Sequence, residues 1–267
     1  TLTDAATAFH GSPPLPLEPS TPALEVLQGE VALVRRSAPR YVGSNDATTC
    51  VVVAAVSDTH ALVTHVDSPS CQEQLAEMMG KLGGGPVVLH ACGGYAPSTP
   101  DEATKSRENV RAVLTAAAAC GAEVTLGVFA VLSHNTSDGD APLHTGCVLD
   151  TDTGTLHHGT FACEAPHRTL RSSRWLGACD GLQICWDASE SCVVVPPFPY
   201  DALPPGFNAA IQALDDATLL THFSTSPEAE PPHFCDCVRA SFAFVAAHPD
   251  WREVFPGEAA LRCALPP

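Results

Sequence analysis

The sequence predicts an α+β fold in which two β-sheets pack on one another with helices on the outside, an α-β-β sandwich. Three observations lead there. Short apolar, β-branched runs bounded by turn residues outnumber the stretches of helical period, at least three helical stretches stand between those runs, and no internal repeat divides the chain. With 267 residues, 45% of them hydrophobic and 16% charged, the chain can bury a full core. It divides into a proline-rich arm over residues 1–28 and a single domain over residues 29–267.

The arm is marked by Ser12-Pro13-Pro14-Leu15-Pro16, which reads as irregular. Glu30-Val31-Ala32-Leu33-Val34 is a first strand, and a turn of small polar residues, Gly43-Ser44-Asn45-Asp46-Ala47-Thr48-Thr49, leads to Cys50. Val51-Val52-Val53-Ala54-Ala55-Val56 and Ala61-Leu62-Val63-Thr64-His65 then read as neighbouring antiparallel strands joined through Ser57-Asp58-Thr59-His60. Apolar residues at 75, 78, 79 and 82 suit a helix starting near Gln72 and ended by Gly83-Gly84-Gly85. No Lys-Ser or Lys-Thr follows that glycine run to open a helix, so it is not a phosphate loop. Pro86-Val87-Val88-Leu89-His90-Ala91-Cys92 is a buried-strand pattern running into Gly93-Gly94, glycines suited to a bulge or a close backbone approach. Residues 101–120, charged at the start, alanine-rich at the end and stopped by Gly121, form the clearest helix. Strands follow at 123–131, near 146–149 and at 155–161, with a helix over 165–176. Leu182-Gln183-Ile184-Cys185-Trp186 and Ser191-Cys192-Val193-Val194-Val195 read as a hairpin, and residues 234–248 as a last amphipathic helix.

Thirteen Lys and Arg against 30 Asp and Glu leave a formal charge of −17, which argues against nucleic acid and anionic membranes as partners. Such a field favours cationic ligands, free protein N-termini among them, although acidity also serves solubility alone. No apolar stretch approaches the ~20 residues of a membrane helix. Twelve cysteines in a chain this long, several in apolar surroundings such as Cys120, Cys147 and Cys163, read as reduced thiols that act as small hydrophobes. The first residues lack the charged, apolar and small-residue succession of a secretory leader, while the start at Thr1 leaves a lost upstream segment open. A cytoplasmic protein, also nuclear in the wider reading, and a monomer are expected. Cys235-Asp236-Cys237 and His157-His158 lack the paired spacings of structural zinc sites, so neither metal nor cofactor is expected. Asn135-Thr136-Ser137 matches a glycosylation acceptor and reads as a surface loop.

The chemistry concentrates at the first two core strands. A cysteine at the mouth of a buried strand is held rigidly while its sulfur still reaches a cleft. His65, fifteen residues on, closes the next strand, so the antiparallel pairing brings it back beside Cys50. A thiol needs such a base, because the thiolate is the attacking species and an ordinary cysteine pKa of ~8.5 leaves little of it at neutral pH. Ser44, six residues before Cys50, is placed to orient the imidazole. On spacing alone the opposite reading stays open: a buried core cysteine, a strand-end histidine and a serine that only shapes a turn.

Four segments add a resemblance. Gly43-Ser44-Asn45-Asp46-Ala47-Thr48-Thr49-Cys50, Thr64-His65-Val66-Asp67, Gly93-Gly94-Tyr95, and Ser224-Thr225-Ser226-Pro227-Glu228-Ala229-Glu230-Pro231-Pro232-His233-Phe234 resemble, in order, signature segments of the protein N-terminal asparagine amidohydrolase family. That family is in turn similar, more distantly, to bacterial receptor glutamine deamidases and the deamidating domains of cytotoxic necrotizing toxins. Those use a cysteine, a histidine on the next strand, and a hydroxyl or carbonyl group. The resemblance implies Cys50 as nucleophile, His65 as base and Ser44 as the third member. It also implies a reaction: side-chain deamidation of an N-terminal asparagine to aspartate through a thioester, with ammonia released and the product passed to arginine transfer and degradation.

In the last segment, prolines hold the chain extended and stiffen a loop that carries two carboxylates. A protonated α-amino group needs an anionic partner, and Glu230 matches the family segment where Glu228 does not. Glu230 is therefore the expected amino-group anchor, with Asp46 second; Thr49 and Ser226, on the same two segments, are further substrate-binding candidates. Either carboxylate could instead serve the dipole of the helix that follows. Two other functions stay open, namely another thiol hydrolase (an N-terminal glutamine deamidase or a peptidase) and a non-catalytic peptide-binding module.

Overall fold

The computed structural model of the chain describes residues 1–17, 21–98, 100–161, 167–177, 179 and 181–265. Cys163 and the first two residues of the helix expected over 165–176 lie outside them. The strands are β1 (Ala23–Glu25), β2 (Glu30–Arg35), β3 (Tyr41–Ser44), β4 (Val51–Val56), β5 (His60–Val66), β6 (Val87–Tyr95), β7 (Val124–Leu132), β8 (Cys147–Asp150), β9 (Thr155–His158), β10 (Gln183–Ile184), β11 (Trp186–Asp187), β12 (Cys192–Val195) and β13 (Leu261–Cys263). The helices are α1 (Leu2–Gly11), α2 (Gln72–Gly80), α3 (Pro100–Ala119), α4 (Arg168–Ser172), α5 (Phe207–Ala213), α6 (Asp216–Phe223), α7 (Phe234–Ala247) and α8 (Trp251–Val254).

The architecture is α+β, built of mixed sheets and helices. A six-stranded sheet runs β10-β2-β5-β4-β6-β7, a four-stranded sheet β1-β3-β8-β9, and a smaller one β11-β12-β13. β4 is central and buried along its whole length, as an uninterrupted apolar run demands. Its side chains alternate between faces. Val51, Val53 and Ala55 join Leu75, Met79, Val110 and Val113 of α2 and α3 in one core. Val52, Ala54 and Val56 join Leu24, Val42, Leu149 and Leu156 of the four-stranded sheet in the other. The even-numbered face of β4 therefore looks into the space between the two sheets.

β4 and β5 pair antiparallel with Val51 opposite Val66 and Val52 opposite His65. On the other side β4 pairs with β6, Val51 opposite Gly93. Gly93 has φ +102°, and a Cβ there would stand 2.7 Å from the Cys50 carbonyl oxygen. A side chain at this position would push β6 off the turn before β4, so the close backbone approach expected of Gly93 is used against Cys50 itself.

Several expectations change. Residues 2–11 of the supposedly irregular arm form α1, because Thr1 and Asp4 make a capping box and Ala6 and Phe9 bury one face. The prolines that suggested irregularity only follow its end. Ser44 is not on a turn but is the last residue of β3, paired with Cys147 of β8. The expected 182–195 hairpin splits: β10 pairs parallel with β2 in the large sheet, and only Trp186 and Asp187 turn back onto β12. Within 165–176, α4 is one short helix continued by a 3₁₀ turn, Ser173–Leu176. β9 stops at His158 rather than running to 161.

A helical lobe completes the fold, with α7 packed on α4, α5 and α6. α4 is tied to the large sheet through charge. Glu30 of β2 receives Arg171 and Arg174, all nearly excluded from water. Burial opposes the Glu30 charge, yet the two guanidiniums and the Leu27 N–H hold its pKa at about 2. Removing the carboxylate would strand two buried cations, a loss of roughly 3–5 kcal/mol.

Candidate active site

Cys50 immediately precedes β4 and belongs, with Val52, to the core between the two sheets. His65, opposite Val52, faces the same way. Cys50 and His65 are thus diagonal neighbours on one sheet face, a spacing of roughly 7–8 Å between backbones that side chains can bridge. Both line a cavity of about 380 Å³.

Ser44 reaches His65 from the facing sheet. Its Oγ lies 2.8 Å from His65 Nδ1, and the two residues are 1% and 2% exposed. His65 Nε2 is buried with no hydrogen-bond partner among the described residues. If Nδ1 carries the ring proton and donates it to Ser44 Oγ, that hydroxyl still has the Asn45 carbonyl, 3.5 Å away, to donate to. Nε2 is then left as the unprotonated nitrogen.

The electrostatics favour a neutral pair at rest. Burial, then the Asp67 charge, and further Glu230, push the Cys50 thiol up to about 12, against the pull of Lys105 and a hydrogen bond with Thr49. Burial likewise lowers the His65 pKa, despite Asp67, Asp46 and Glu30.

The turn before Cys50 is held from three sides. Asn109 of α3 donates to the Thr49 carbonyl at 3.1 Å, and the Tyr95 N–H donates to the Thr48 carbonyl at 3.1 Å. From the loop after α6, Ser226 Oγ lies 2.7 Å from Thr48 Oγ1, and Thr225 Oγ1 lies 3.2 Å from Thr49 Oγ1. Of the expected substrate-binding residues, Thr49 and Ser226 therefore act first on each other's segments. Ser226 is fully buried and outside the cavity lining.

Glu230 and Asp46 both line the cavity, whereas Glu228 is exposed. The Glu230 carboxylate accepts from Ser224 Oγ at 2.5 Å and Ser226 Oγ at 3.5 Å, and burial raises its pKa. Both of these hydrogen-bond donors are uncharged hydroxyls. Asp46, at φ +62°, is already engaged by His233 Nε2 at 2.9 Å and Arg168 at 3.5 Å.

Four residues of this wall escaped the sequence reading. His233 and Asn45 stand within the quoted Ser224–Phe234 and Gly43–Cys50 segments without an assigned role; Arg168 and Glu25 had no signal, because nothing local marks their meeting. Glu25 is 3% exposed; it receives Arg168 and, at 3.1 Å, the Asn45 amide. Among the described residues no group of three or more His, Cys, Asp and Glu is placed to hold a metal ion.

A buried thiol, an imidazole held at Nδ1, and a pocket lined by carboxylates beside Lys105, Arg168, Arg171 and Arg174 are parts that hydrolysis of an amide can use. The chain belongs to the protein N-terminal asparagine amidohydrolase family, which it matches over residues 16–263. A relative of that name from Homo sapiens is 26% identical over 253 residues, covering 89% of this chain and 79% of its own length. The Sus scrofa protein is 26% identical over 233 residues, covering 82% and 73% respectively. One from Arabidopsis thaliana is 24% identical over 277 aligned positions, covering 86% and 75%.

Proposed function

We propose that the protein deamidates the side chain of an asparagine at the first position of a polypeptide, giving aspartate and ammonia. The observation that carries this reading is the cavity itself. It holds a thiol and an imidazole alongside Glu230, whose carboxylate accepts hydrogen bonds from the Ser224 and Ser226 hydroxyls, in a chain of this family.

In the proposed reaction the α-ammonium group sits against Glu230, with Asp46 nearby, and presents the side-chain amide to Cys50. The thiol proton passes to His65 Nε2 as sulfur attacks the amide carbon. Backbone N–H groups at Cys50 and its neighbours face the developing oxyanion, each contributing perhaps ~3 kcal/mol. The imidazolium returns its proton to the nitrogen, the C–N bond breaks, and ammonia leaves a thioester on Cys50. Water then gives a proton to His65 and attacks the thioester carbon, the C–S bond breaks, and the thiol is restored. Ser44 keeps Nδ1 protonated throughout. Substrate binding also assists, because an ammonium at Glu230 cancels a charge that opposes the thiolate.

The order Ser44, Cys50, His65 supports a distant kinship with the bacterial glutamine deamidases. An added methylene in glutamine is worth only ~1–3 kcal/mol by fit, so discrimination rests on the fixed span from Glu230 to Cys50. Free buried thiols such as Cys92, Cys147 and Cys185 support action in a reducing compartment, the cytoplasm or nucleus, and the product would feed N-terminal-dependent protein degradation. Among the described residues no helix is long and apolar enough to cross a membrane.

The test is mass spectrometry with parallel ammonia detection on an Asn-first peptide and its N-acetylated twin. Conversion of the free peptide alone, with a mass gain of about one dalton and an intact backbone, is expected. Conversion of both would remove the amino-group anchor, and conversion of neither would remove the activity.

A further inference from the structure

Four side chains of fixed positive charge line the cavity at Cys50, namely Lys105, Arg168, Arg171 and Arg174. The arginines are committed to carboxylates. Arg168 pairs with Glu25 and Asp46, while Arg171 and Arg174 both pair with Glu30. Lys105 alone of the four makes no ion pair among the described residues. A cation without a counter-ion keeps its field for whatever charge appears in the cavity.

Helix α3 brings Lys105 to the nucleophile turn. Lys105 and Asn109 stand four residues apart on α3, hence on one face of it. Asn109 is fully buried and donates its side-chain amide to the carbonyl of Thr49, the residue before Cys50, at 3.1 Å. Lys105 lies one turn nearer the helix N-terminus on that face, half-buried, and lines the same cavity as Cys50. A lysine stem can follow such a wall while its ammonium stays in the polar space beyond it.

The proposed chemistry needs a cation there. Attack on an amide turns a neutral thiol and a neutral carbonyl into negative charge, first at sulfur and then at oxygen. Burial, Asp67 and Glu230 all oppose that charge on Cys50, and Lys105 is the cation that favours it. The charge appears only after the substrate is bound, so its stabilisation acts on the rate of the chemical step rather than on binding.

Resting on the asparagine-first reading, we propose that Lys105 is a positioning cation of the reaction, its ammonium offsetting across the cavity the negative charge that attack places on Cys50 and on the amide oxygen. It neither gives nor takes a proton in any step. The Cys50 proton still passes to His65.

The test uses the full chain with Lys105→Met, which keeps the stem and drops the charge, and Lys105→Arg, which keeps the charge. On each variant, shown to be folded by thermal melting, two readings are taken. One is kcat and KM for an Asn-first peptide, and the other is the rate of Cys50 alkylation by iodoacetamide against pH, followed by peptide mapping. In Lys105→Met, kcat should fall roughly 5- to 50-fold with little change in KM, and Cys50 alkylation should slow and begin its alkaline rise at higher pH. Lys105→Arg should restore most of both. A merely structural role would leave the alkylation profile where it is, or lower the rate equally in both variants, and either result overturns the proposal. So does a kcat for Lys105→Met within about twofold of wild type. If the wild type converts no Asn-first peptide, the asparagine reading fails, while the alkylation profiles still decide whether Lys105 acts on Cys50.

Discussion

Replacing Ser44 by alanine separates the role of the second sheet from that of the first. The change deletes an Oγ that lies 2.8 Å from His65 Nδ1, at a place where serine and histidine are 1% and 2% exposed. No water can take over at that depth without a rearrangement. An unsatisfied buried donor costs about 1–3 kcal/mol. The imidazole can avoid the cost by moving its proton to Nε2, the nitrogen that must accept from Cys50, or by turning the ring. Either way the penalty falls on the reactive state, and at ~1.4 kcal/mol per factor of ten it predicts a loss of about 5- to 150-fold in kcat. KM should change little, since the hydroxyl is committed to the histidine. Ser44→Thr, which keeps a hydroxyl, should recover part of the rate. The assay is ammonia release from an Asn-first peptide at saturating concentration, with thermal melting of each variant to establish folding. A kcat for Ser44→Ala within about twofold of wild type, beside an inactive Cys50→Ala, would refute the triad and leave Ser44 as a strand-end residue.

Two further outcomes follow from the same geometry. With its pKa pushed up to about 12 by burial, Cys50 should react with iodoacetamide much more slowly at neutral pH than an ordinary thiol. Peptide mapping should show its labelling still rising at alkaline pH, whereas a fast reaction already levelled off below about pH 8 would mean a resting thiolate–imidazolium pair. Glu230→Gln should raise KM for a free-amine peptide by about 10- to 100-fold, the worth of a charge-assisted hydrogen bond, with little effect on kcat. Burial raises the Glu230 pKa, so binding that depends on its anion is present above that value and is lost as pH falls through it. The acid-side rise in KM should therefore start above the ordinary glutamate range in the wild type and vanish in Glu230→Gln; an unchanged KM profile would remove the anchor.

The central sheet was legible because its signals are local. A six-residue, β-branched apolar run between polar turns is too short for a typical helix and reads as a buried strand, and β4 and β5 fall within a residue of the expected runs. The same holds for α2 and α3, where period and following glycines agree, and for α7, which its amphipathic period marks. What failed was context. α1 was hidden behind prolines that follow it, and β10 left its hairpin because β2 offered an open edge that no local pattern announces. α5, α6 and α8 are short and owe their order to packing on α7 and its neighbours, a contribution that propensity does not contain.

The site divides along the same line. The sequence alone put Cys50 and His65 on adjacent antiparallel strands, fifteen residues apart, and supplied the segments that mark the family. That is possible because alternation and hairpin return are dictated over a few residues by backbone geometry. The sequence also named Ser44 as the partner of the imidazole, but only the tertiary structure placed it on the opposite sheet, and only there do His233 meet Asp46 across 187 positions and Ser226 meet Thr48 across 178. Such meetings depend on which faces bury together, and burial is a property of the whole packed chain rather than of any stretch of it.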